Sequence, residues 1–164
     1  MKNVLIALVL ILTAPSVSAE EVNDYRYELE NIINSSSAGY VTLKVWSYGR
    51  RQKLTKNKCM ANAIHGILFK GLDADETGTT GSLAPMVSGG YESNAQYFDE
   101  FFKQDYMLYI QETSKGAMTA GDIIKLKNKK EYKIGMVVKI NLNALRKRLE
   151  NDGVLKSVQG IFEM

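Results

Sequence analysis

Hydrophobic and polar positions alternate from Tyr40 to Tyr48: Val41, Leu43, Val45 and Ser47 fall on one side, and Tyr40, Thr42, Lys44, Trp46 and Tyr48 on the other. A period of two is the pattern of a half-buried strand, and the β-branched and aromatic residues in this run suit a pleated surface. The first set reads as a core face. Trp46 and Tyr48 then share the outer face with Lys44, either as an aromatic platform or as a surface beneath another segment. Past the turn Gly49-Arg50-Arg51 the period changes: Met60, Ala63, Ile64, Ile67 and Leu68 form one apolar stripe at helical spacing, with Lys56, Asn57, Lys58 and Asn62 off it. Thr55 is placed to cap this helix and Gly71 to end it. The small Ala61, Ala63 and Gly66 would let it lie close to a sheet. Residues 40–71 thus predict strand, turn and helix.

The same reading extends along the chain. Tyr25, Tyr27 and Leu29 alternate with Arg26, Glu28 and Glu30; helical spacing also fits this segment, but the polar run Asn34 to Gly39 favours a strand and a hairpin into Tyr40. Periodicity is lost over the glycine- and threonine-rich stretch 72–94, which predicts a long loop and a partner-facing surface. Helical spacing resumes from Glu92 to Gln104 around Tyr97, Phe98, Phe101 and Phe102. Tyr106, Leu108 and Ile110 predict a strand, and a further segment at 121–127 extends or re-enters the sheet. Asn128 to Lys130 reads as a hairpin tip, and 132–140 is apolar enough to be a central strand. Asn141 or Asn143 can cap a last helix with Leu142, Leu145 and Leu149 inward, ended by Asn151-Asp152-Gly153. Val154 to Phe162 is apolar enough to pack back on the domain.

Lys2, the apolar run Val4 to Leu12, Pro15 and the small residues to Ala19 have the order of a secretory signal peptide over residues 1–19. The run is too short for a transmembrane span, and no cysteine near Ala19 offers a lipid attachment point. The expected mature chain, 20–164, is a single domain of 145 residues, periplasmic or secreted, with no transmembrane segment. Losing Lys2 lowers the formal charge from +3 to +2, which does not call for a nucleic-acid partner. Cys59 is the only cysteine, so packing rather than an intramolecular disulfide must hold the fold. It reads as a buried thiol.

Candidate chemistry is sparse. His65 is the only histidine and Cys59 lies six residues away, far apart in angle on a helix. His65 therefore reads as a partly buried helix residue rather than a catalytic base. No metal site or cofactor is expected: Asp73 and Asp75 begin a sequence resembling a calcium loop, but Ala84 stands where its closing glutamate belongs. No phosphate-binding glycine motif occurs. Carboxylates at Asp73, Asp75, Glu76, Glu92, Asp99 and Glu100 keep open a hydrolase of cell-wall or glycan substrates. The residues singled out for binding are Trp46, Tyr48, Arg50, Asp73, Asp75 and Tyr91.

The Tyr40–Gly71 pattern and the later run YKIGMVVKINLNALRKRLENDGV together resemble small α+β domains of bacterial envelope proteins, such as those of the flagellar T protein and related outer-membrane lipoproteins. Val45 to Gly49 and Leu68 to Gly71 also resemble a VWSYG-like strand and an LFKG-like helix end in secreted bacterial proteins. The resemblance implies an assembly or interaction role with an envelope protein or glycan, and no catalytic residues. The expected fold is α+β: one antiparallel sheet of four or five strands with two or three helices on one face.

Overall fold

The computed structural model describes residues 25–33, 39–74, 81–113, 120–127 and 130–156. The expected leader, Asp75 and the stretch 158–162 lie outside these residues. Strands β1 (Tyr27–Ile33) and β2 (Tyr40–Gly49) form the expected antiparallel pair, with Leu29 opposite Val45. Along its whole length β2 also pairs antiparallel with β5 (Glu131–Asn141), placing Leu43 opposite Val138 and Trp46 opposite Gly135. The far edge of β5 is shared by β3 (Ile110–Glu112) towards its C-terminal end and β4 (Ile123–Leu126) towards its N-terminal end. Among the described residues the result is a five-stranded antiparallel sheet with three α-helices, an α+β fold as the periodicity implies.

The sheet has one apolar face because period-two alternation sends Leu43, Val45, Ile134, Met136, Val138 and Ile140 to the same side, where all are buried. Helix α1 (Gln52–Phe69) packs there. Every residue from Ala61 to Leu68 is buried, so this is an interior helix rather than one with a single apolar stripe. Asn62, expected off the stripe, is buried and donates to Ser47 Oγ at 2.8 Å. Cys59 is buried as anticipated, its thiol donating to the Ile134 carbonyl at 3.4 Å. The helix also begins earlier than expected. Arg51 occupies the capping position, and Thr55 lies a turn inside with its hydroxyl bonded to the Arg51 carbonyl at 2.6 Å.

Other departures occur where aromatic residues outweigh local pattern. A 3-10 turn at Tyr91–Asn94 precedes the short α2 (Ala95–Phe101), so the expected helix over 92–104 is broken at both ends. Residues Asp105–Tyr109 form another 3-10 turn where a strand was expected, and only Ile110–Glu112 joins the sheet. The turn buries Tyr106 and leaves Leu108 exposed, whereas a strand would have put both on one face. Helix α3 (Leu142–Asn151) starts from Asn141, whose side chain accepts from the Ala144 N–H at 3.0 Å, and buries Leu145 and Leu149. Val154 and Leu155 pack against the core behind it.

The described part of the 72–94 stretch is tied to α1. Leu72 and Leu83 exchange both backbone hydrogen bonds at 2.8 Å. The N–H groups of Met86 and Val87 then reach the carbonyls of Ile67 and Leu68, which would otherwise be unpaired at the helix end. Gly71 makes this return possible: its φ is 78°, and a β-carbon there would stand 2.3 Å from the Leu83 carbonyl oxygen. Gly71→Ala should therefore cost about 1–3 kcal/mol of stability, read as a lower urea midpoint, because both the backbone conformation and the contact are strained. Wild-type stability in that variant would contradict this closure.

Candidate functional site

The other face of the sheet carries no α-helix among the described residues. It presents Lys44, Trp46 and Tyr48 from β2, Glu28 and Glu30 from β1, Lys133 and Gly135 from β5, and Ile124 from β4, by the strand register. The Trp46 ring lies over Gly135: a β-carbon on that glycine would be 2.7 Å from Trp46 Cζ3. A glycine inside an apolar strand is a sequence signal for such a close approach. The Trp46 indole donates to Glu30 Oε2 at 3.3 Å on the neighbouring strand. Tyr48 donates to Glu28 Oε1 at 2.5 Å and Lys133 donates to Glu28 Oε2 at 2.9 Å. Those two donors hold the Glu28 carboxyl below its ordinary range, and Glu28 in turn raises Lys133.

Cations also sit over the rings. Arg26 is 4.1 Å from the Tyr48 ring centre and Lys44 is 4.3 Å from that of Trp46. Lys44 pairs with Asp122 at 2.8 Å, and Arg26 with Glu131 at 3.3 Å. The face is therefore a lattice of aromatic side chains and interleaved charges of both signs, fixed on a rigid sheet.

The remaining residues singled out for binding do not join Trp46 and Tyr48. Arg50 follows the end of β2 and lines a cleft between α1 and the 102–107 stretch. Asp73 is exposed near the far end of β1, where its carbonyl accepts from Asn31 Nδ2 at 3.4 Å. Tyr91 is half-buried among Phe69, Phe98 and Phe102 and donates to Asp99 Oδ1 at 2.6 Å. Burial, helped by Asp99, pushes its pKa up. Asp75 lies outside the described residues.

His65 is more deeply embedded than its helix position suggested, at 8% exposure. Its ring stacks on Tyr25 with centroids 3.5 Å apart, and Nδ1 shares a 2.7 Å hydrogen bond with the Tyr27 hydroxyl. Burial first, and then nearby Lys70, lower its pKa from 6.5 to about 4. The Tyr25 hydroxyl is buried without a hydrogen bond of good geometry, although Tyr91 and Asp99 are near enough to act on it. Burial pushes the Cys59 thiol up to about 11, which leaves it un-ionised at neutral pH.

Among the described residues, no group of three or more His, Cys, Asp or Glu side chains is placed to hold a metal ion, and no helix is long and apolar enough to cross a membrane. Glu100 and Asp105 line one open cleft, but Lys103 engages the first at 2.5 Å and Arg148 the second at 3.0 Å.

No protein-family model, curated protein or solved structure matches the chain. The geometry of the molecule is thus the guide to its function.

Two outcomes follow from the side chains described. Gly135→Ala would lift the Trp46 ring, so it should lower stability by about 1–3 kcal/mol and shift emission of the single tryptophan to longer wavelength. Unchanged emission would mean the ring does not rest on that glycine. The folded protein keeps His65 neutral down to about pH 4, whereas the unfolded chain protonates it near 6.5, so acid favours unfolding through this group. Between about pH 7 and about pH 5 that contribution is a loss of roughly 2 kcal/mol. Urea titrations at both pH values should show a smaller loss in His65→Gln; an identical slope would contradict the buried neutral imidazole.

Proposed function

We propose that this protein is a non-enzymatic, exported module that binds a protein component of the cell envelope through the open face of its sheet. The observation that carries this reading is the placement of Trp46 and Tyr48, with exposed Ile124, on a rigid face that no α-helix covers among the described residues. Aromatic side chains backed by fixed neighbours are the kind of residue that dominates recognition surfaces. Charges of both signs alternate around them: Arg26, Lys44 and Lys133 against Glu28, Glu30 and Asp122. A uniformly charged polymer gains little from such a pattern, while a protein surface of mixed charge can match it.

Two further points support binding over catalysis. His65 and Cys59 are buried and engaged by Tyr25, Tyr27 and the Ile134 carbonyl, and of the carboxylates weighed for a hydrolase, Asp99 and Glu100 are held by Tyr91 and Lys103. Export rests on residues 1–19 alone, and the resemblance to flagellar T protein domains points towards the envelope. A photo-crosslinking residue at Ile124 or Glu30 should capture a defined envelope protein, whereas one at Glu92 should not. Trp46→Ala should weaken that capture by at least about tenfold while leaving the fold intact, as expected of a central contact. Capture that is equal from both positions, or that survives Trp46→Ala, would sink the reading.

A further inference from the structure

A second feature lies apart from the sheet face. Between the start of α1 and the 102–107 stretch is a cleft of about 260 Å³. Arg50, Lys58 and Lys103 stand among its lining residues, Phe102, Tyr106 and Met107 provide its apolar part, and among the described residues no carboxylate lines it. Among the described residues Arg50 and Lys58 form no ion pair, while Lys103 holds Glu100. The adjacent first turn of α1 contains no acidic residue, so the positive end of the helix dipole is not offset there. Phe102 and Tyr106 are buried, whereas Met107 is 45% exposed and provides a soft, adaptable side chain at the opening. Positive charge thus borders an aromatic floor.

We infer that this cleft binds a small anionic amphiphile, a carboxylate carried on a medium-length apolar chain. Neither half of the lining explains the other on its own: a free inorganic anion would leave the aromatic floor unused, and a neutral hydrocarbon would leave the cations unmatched. At about 30 Å³ per heavy atom, the share of a water molecule in the liquid, the cleft takes roughly nine heavy atoms with the carboxylate oxygens included, close to the size of octanoate. The head group would meet Arg50, whose planar guanidinium can engage both carboxylate oxygens, and Lys58. The chain would lie against Phe102, Tyr106 and Met107. This inference does not depend on the sheet face, since neither Trp46 nor Tyr48 lines the cleft.

Octanoate is the direct probe, followed through the methyl resonance of Met107 in the full-length folded protein, with Met107→Leu used to assign the signal. Octanol tests the charge, acetate the chain, and vesicles of anionic phospholipid a membrane surface as the alternative source of the same chemistry. The expected result is a saturable shift with monomeric octanoate, weaker by at least about tenfold with octanol or acetate. The double variant Arg50→Glu, Lys58→Glu changes side chains without described ion pairs, so it should fold normally and weaken octanoate binding by at least about tenfold. No saturable response up to the solubility of octanoate, an equal response to octanol or acetate, a response to vesicles alone, or full binding by the folded double variant would each overturn the inference.

Discussion

The close approach of α1 to the sheet is the contact on which the other arrangements depend. Thr55, Cys59, Asn62 and Gly66 recur at one-turn spacing, and each meets the sheet at a short distance. Thr55 sits where a β-carbon on Gly49 would collide with its hydroxyl, and Gly66 leaves room for Leu29. Cys59 and Asn62 reach Ile134 and Ser47 by hydrogen bonds. A larger residue on this row would push the helix away and open voids around Leu43, Val45 and Val138, all fully buried. Interiors packed at crystal density do not absorb such a shift without loss of contact.

An interior helix needs cover on its second side, and aromatic side chains provide it. Tyr91, Phe98, Phe102 and Tyr106 form a layer of tilted and stacked rings above α1, Phe69 at the end of the helix meets Tyr91 and Phe98 edge-to-face, and Tyr25 closes over His65. This second layer explains why the 91–109 segment is made of short helical pieces: each break reorients the chain so that another ring can point inward. It also explains the neutral histidine. Protonating His65 would place a charge among rings and beside Lys70, with little water to solvate it.

The two faces of the sheet do different physical work. On the inner face, truncating a fully buried leucine or isoleucine would cost about 2–5 kcal/mol. On the outer face the Arg26–Glu131 and Lys133–Glu28 pairs are partly solvated, and each contributes at most about 1 kcal/mol, while the Lys44–Asp122 pair is more shielded. Their effect is to hold Trp46 and Tyr48 in fixed orientations through Glu28, Glu30 and Lys133, which would lower the entropic cost of the recognition proposed for this face. Stability concentrated on one side leaves the other side free to present residues for contact.

Much of the fold was legible because alternation and helical spacing encode burial directly. The β1–β2 hairpin, α1, the central β5 and α3 all follow from the period of their apolar residues, as does the burial of Cys59. Local pattern failed where a residue's role is set by a distant partner. Thr55 looks like a cap until Gly49 gives it a place inside the first turn; Tyr106 and Leu108 look like one strand face until the aromatic layer claims only the first. The candidate sites divided for the same reason. The sequence by itself determined the α+β architecture and which side of β2 would face outward, since side-chain period depends only on neighbouring residues. Only the tertiary structure decided that Glu28, Glu30 and Lys133 hold Trp46 and Tyr48, that Arg50 turns into a separate cleft, and that His65 is sealed beneath Tyr25, because those outcomes depend on contacts between residues far apart in the chain.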